Sequence, residues 1–136
     1  MLFLQAGFSL IELMLALAIS ALLVTMSYPS YIDYQTHAQR NRAVVALFQL
    51  SGRLERYFGE NDSYQNATIA VLHAADLLED LPYQLQIASV SESHYEIQAV
   101  PQGVQAERDS HCGTLSLTDT NVRGISGDGD VKQCWR

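Results

Sequence analysis

The chain has 136 residues, enough for one domain and a small appendage. Hydrophobic residues make up 48% and charged residues 17%, which excludes a disordered chain and fits globular or membrane-attached protein. Eight Lys and Arg against fifteen Asp and Glu leave a net charge of −7, which argues against general nucleic-acid binding but leaves room for a local basic stripe.

No phosphate-loop, dinucleotide, zinc-protease or nucleophile-elbow motif occurs. Two Cys cannot make a four-ligand zinc site alone. The expectation is therefore a non-enzyme without catalytic residues, metal or cofactor.

The first basic residue is Arg40. From Phe8 to Tyr28 runs FSLIELMLALAISALLVTMSY, with Glu12 as its one charge. As a helix it spans roughly 30 Å, the thickness of a bilayer core. Three readings compete: a cleaved secretory signal cut near Ala16-Leu-Ala18, a permanent anchor, or a segment clipped in front of the apolar run and retained for assembly. Glu12 favours the third. A carboxylate inside a spanning helix costs about 2.5–3.5 kcal/mol near the centre and needs a cation, and this segment has none.

The motif Gly7-Phe8-Ser9-Leu10-Ile11-Glu12-Leu13 resembles the processing site of type IV prepilins. The resemblance implies a leader at 1–7, a cut between Gly7 and Phe8 by a prepilin peptidase, methylation of the new Phe8 amine, and retention of helix 8–28 for assembly. It also implies that the Phe8 amine of a neighbouring subunit neutralises Glu12, since a paired buried charge is tolerated where a lone one is not. The leader MLFLQAG lacks the Lys or Arg usual in that family, so it is either atypical or begins upstream of Met1.

Residues 29–136 read as the soluble domain. Pro29 removes a donor and is expected to kink or open the helix. Tyr28, Tyr31 and Tyr34 suit a membrane interface, or contacts between subunits in a fibre. Ala43, Leu47, Leu50, Leu54 and Tyr57 form one apolar stripe, predicting an amphipathic helix to about 58. Gln39, Arg42, Gln49, Arg53 and Glu60 lie opposite. A connection at 59–82 follows, with a short helix expected before Leu81-Pro82; His73 in it reads as a surface or packing residue.

Alternation then takes over. Tyr83, Leu85 and Ile87, then Tyr95, Ile97 and Ala99, predict an antiparallel hairpin turning at 91–93. A third strand is expected over 112–118 and a short last strand over 131–135, separated by turns around 119–121 and 124–130. The fold class is thus α+β: a long N-terminal helix on a small antiparallel sheet over 83–136. If the domain is exported, Cys112 and Cys134 read as one disulfide closing a C-terminal loop. Asp128 and Asp130, with Asp119, read as a Gly/Asp turn in preference to a Ca²⁺ site.

The segment CGTLSLTDTNVRGISGDGDVKQCW resembles the C-terminal disulfide region of type IVa pilins from Gram-negative bacteria, and RNRAVVALFQLSGRLERYFGENDSY resembles their helix end. The resemblance implies a pilus subunit, inserted in the inner membrane as a precursor and then polymerised into an extracellular fibre for adhesion, motility or DNA uptake. Its partners are other pilin subunits, the peptidase and the assembly machinery. Two alternatives stand beside it: a DNA-binding minor pilin of a competence system, and a pseudopilin of type II secretion. For the first, the basic residues are Arg40, Arg42, Arg53, Arg56, Arg108, Arg123, Lys132 and Arg136. Of these Arg123, Lys132 and Arg136, at the disulfide loop, are the candidate DNA contacts.

Overall fold

The computed structural model describes residues 7–136. The expected leader, apart from Gly7, lies outside them. Two compact units divide the chain, one ending at Gln35 and one covering Thr36–Arg136.

Helix α1 runs over Leu10–Asn61 and continues through Pro29. The proline leaves the Thr25 carbonyl without its usual i+4 donor. Nearby, the hydroxyls of Thr25 and Ser27 donate to the carbonyls of Leu22 and Leu23. Within the first unit the apolar side chains from Phe8 to Met26 are exposed. This helix is long and apolar enough to cross a membrane.

The second unit contains the core. Ala43, Leu47, Leu50 and Leu54 of α1 are each 0% exposed, so these four positions of the predicted stripe are the buried face, while Tyr57 at its end is half-buried against the core. Burying each leucine contributes about 1.5–3 kcal/mol. The helix ends three residues later than expected, at Asn61, where Asp62 takes a positive φ of 55°. The short helix expected before Leu81-Pro82 is a 3₁₀ turn, Ala75–Leu78.

Four antiparallel strands follow in the order β1-β2-β3-β4: Tyr83–Val90, Tyr95–Pro101, Leu115–Thr118 and Arg123–Ile125. Ile87 pairs with Ile97, and Ile97 in turn with Leu117. Tyr95, Ile97, Ala99 and Pro101 alternate strictly into the core, as do Leu115 and Leu117. Apart from Pro101, they form one cluster with Ala43, Leu47, Leu50 and Leu54 of α1.

Three expectations need correcting. A one-and-a-half-turn helix, α2 at Gly103–Arg108, interrupts the path from β2 to β3. Strand β3 starts at Leu115, because the Cys112 and Gly113 amides turn back to the Asp109 carbonyl. The last strand is β4, not 131–135. Val131–Cys134 forms the helical turn α3, since Asp130 accepts a hydrogen bond from the Lys132 amide and caps it. Helical spacing then buries both Cys134 and Trp135.

Candidate functional site

Sequence reasoning proposes three groups of residues, and the two units hold them separately. In the first unit Gly7 and Phe8 precede α1, with Phe8 82% exposed. The Ser9 carbonyl accepts the first helical hydrogen bond, from the Leu13 amide at 3.2 Å. Glu12 therefore stands in the first turn of α1. There the amide dipoles favour a carboxylate by about 0.3–1 kcal/mol, much less than the cost of placing it in hydrocarbon. Glu12 makes no ion pair among the described residues. Tyr28, Tyr31 and Tyr34 are exposed as well.

In the second unit Cys112 and Cys134 form a disulfide with Cα atoms 5.7 Å apart. It ties the turn after α2 to α3. The chain between them folds tightly: a Cβ on Gly127 would lie 2.0 Å from the His111 carbonyl oxygen, so only glycine fits there.

The three candidate cations lie on β4 and on or just beyond α3. Arg123 opens β4, and its guanidinium carbon lies 5.4 Å from the Phe48 ring centre and 5.7 Å from that of Trp135. The two rings meet edge to face at 6.0 Å. The Trp135 indole donates to the Gly124 carbonyl at 3.0 Å, docking α3 on β4. Lys132 and Arg136 are exposed on and just beyond α3.

Three carboxylates share the region, and each already has a partner. Asp119 pairs with His94 at 2.9 Å, Asp128 with His111 at 2.8 Å, and Asp130 caps α3. Partial burial pushes the Asp119 carboxyl up, but hydrogen bonds from His94 and the Tyr95 backbone outweigh it and leave the group below the usual aspartate value. Arg123, Lys132 and Arg136 form no salt bridge among the described residues. A chain of net −7 thus carries an end whose three cations form no salt bridge among the described residues, with Arg123 held over two aromatic rings.

The wider set of basic residues contracts. Arg40 is buried and bonds the Asp109 carboxylate and His37. Arg53 donates to the carbonyls of Leu72 and His73. Neither guanidinium stands free for phosphate.

The Arg40 network is a feature that sequence reasoning missed. The Tyr83 hydroxyl donates to Asp109 Oδ2 at 3.0 Å. The Gln105 amide donates to the Tyr83 hydroxyl at 3.0 Å and to the Thr36 carbonyl at 3.1 Å. Burial, with Asp109 adjacent, pushes the Tyr83 phenol well above its ordinary value. The helical segment α2 delivers Gln105, and the residue after its end delivers Asp109, to α1. In the sequence Arg40 and Asp109 look like ordinary surface charges.

Comparison with known proteins follows the same division. Residues 2–28 match the prokaryotic N-terminal methylation motif. Residues 29–116 match the family described as type IV minor pilin ComP, DNA uptake sequence receptor. A fimbrial protein of Neisseria meningitidis serogroup A is 40% identical over 68 residues, covering 49% of this chain and 40% of that protein. The type IV major pilin protein PilA of Myxococcus xanthus is 33% identical over 60 residues, covering 44% of this chain and 27% of that protein. The alignments thus span less than half of these relatives. The crystal structure of the N. meningitidis non-core minor pilin PilV superposes with a TM-score of 0.55 at 17% identity, covering 69% of this chain and 89% of that one. That likeness establishes a shared fold.

Proposed function

Because the chain belongs to the ComP family of type IV minor pilins, we propose that it is a fibre subunit whose disulfide-bounded end contacts DNA during uptake. The observation that carries the assembly half of this reading is the unpartnered apolar helix from Phe8 onward, with one carboxylate and no cation to meet it. A prepilin peptidase cuts between Gly7 and Phe8, and the freed amine of a neighbouring subunit pairs with Glu12. The precursor waits in the inner membrane, and the assembly machinery moves it into an extracellular fibre. The role is structural, with the chain a substrate of processing and not a catalyst. The family match and the disulfide favour a pilin over a secretion pseudopilin.

The DNA half rests on the family description together with Arg123, Lys132 and Arg136. These are three unpaired cations beside an aromatic pair, suited to phosphate contacts.

Glu12→Val tests assembly. Losing the charge improves membrane partitioning, so the variant inserts and is cut after Gly7. It then stays in the membrane fraction while wild type appears in sheared fibres. Variant protein in fibres at wild-type abundance overturns the charge-pairing reading.

A further inference from the structure

Away from the disulfide end, an open surface groove of about 560 Å³ lies between α1 and the segment at 71–76. That size is typical of a small-molecule site. Its walls carry Arg53, Arg56, Tyr57 and Glu60 from the helix, and His73 and Asp76 from the loop. Arg53 ties the loop to α1: its Nη1 donates to the carbonyls of Leu72 and His73 and lies 3.3 Å from the Asp76 carboxylate. His73 takes a positive φ of 50°, a conformation that strains any residue but glycine. Tyr57 spends its hydroxyl on the Gln65 carbonyl at 3.0 Å, which leaves the ring itself for the groove.

Two charged groups in this wall are idle. Arg56 and Glu60 make no hydrogen bond or ion pair among the described residues, although they stand four apart on one helix face. Arginine placed before glutamate is the weaker order for such a pair, so each is free to serve a ligand. The groove therefore offers a guanidinium fork for a planar oxyanion, carboxylates to accept hydroxyl protons, and an aromatic face for C–H groups. Arg53 is already tied to Asp76, so Arg56 is the guanidinium left for an anion in this groove.

We propose that this groove binds an acidic saccharide, a uronic acid whose carboxylate is taken by Arg56 and whose hydroxyls donate to Glu60 and Asp76. The site is separate from the DNA contacts and stands or falls without them. The probe is a galacturonic acid trimer, titrated by calorimetry onto the full chain in detergent. Wild type binds it saturably. Arg56→Gln, at a side chain that bonds nothing in the fold, binds roughly tenfold more weakly or worse. The methyl ester of the trimer, with the same shape and no charge, loses the same factor on wild type. Absent saturation, an unchanged affinity in Arg56→Gln, or an ester that binds as well as the acid overturns the assignment. Duplex DNA is the second probe. If Arg56→Gln weakens DNA binding while the trimer does not bind, the groove is nucleic-acid surface and the saccharide reading is wrong.

Discussion

Arg40 and Asp109 stand 69 residues apart and meet in the interior, where the pair is about 95% buried. Arg40 Nε is a buried polar atom without a partner, so the network is not fully satisfied even when intact. Removing one charge should therefore be far worse than removing both. We expect Asp109→Ala to cost about 3–5 kcal/mol in urea unfolding, and Arg40→Met with Asp109→Leu to recover most of it. Equal losses in the single and double variants would show that the pairing is not what matters. Tyr64 and Tyr95 make a second residue-level prediction. Burial, then the Glu55 carboxylate their hydroxyls bond, raises Tyr64 to about 12; burial and Glu55 likewise raise Tyr95 to about 12, against an opposing hydrogen bond with Ser51. A phenol harder to ionise when folded stabilises the fold below the unfolded value of about 10 and loses that contribution as pH climbs toward the folded value. Thermal melts should hold up to about pH 10 and fall beyond it, with these tyrosines ionising late in a phenolate absorbance titration. Early, uniform ionisation of all seven tyrosines would contradict the buried placement.

Among elements, α1 and β2 are legible in the order of residues, because their burial signal is local. The four leucine and alanine positions of α1 recur at helical spacing, and Tyr95, Ile97 and Ala99 recur at spacing two. Neither β4 nor α3 carries such a signal. Strand β4 is three residues long, has glycine at its centre, and exists because Leu115 and Leu117 present an edge to Ile125 and Arg123. Helix α3 is one turn held by an aspartate cap, a disulfide and an indole hydrogen bond. Since so little else holds it, the disulfide should matter most here. Cys112→Ser with Cys134→Ser should cost about 2–5 kcal/mol, read as a lowered unfolding midpoint that reductant reproduces in wild type. A midpoint unmoved by reductant would mean that packing of Trp135 alone secures this end.

For the whole molecule, net charge is a poor guide to where an anion lands. The chain is acidic overall, yet His94, His111 and the α3 amide engage the carboxylates of the disulfide end, and its three cations form no salt bridge among the described residues. If those cations contact phosphates, affinity for duplex DNA should fall with salt at a log–log slope of roughly −2 to −3. Replacing Arg123, Lys132 and Arg136 with Gln together should flatten that slope and abolish binding in a gel-shift series. Binding that ignores salt, or survives the triple change, would place the contact elsewhere.

The division into an apolar N-terminal helix and an α+β domain follows from residue order. Hydropathy over 8–28, the stripe from Ala43 to Tyr57 and the alternation after Pro82 are all written in neighbouring residues. Gly7, Phe8, Glu12 and the two cysteines are marked in the same way, through a contiguous motif and a count of thiols. Which charges are available is settled only once the chain is folded. Whether Arg40 is a surface cation or a buried partner depends on a carboxylate 69 residues away, and the Arg123 guanidinium meets Phe48, 75 positions earlier, only in the folded chain. Electrostatic pairing acts through space, over a few ångströms, between residues that chain order does not bring together.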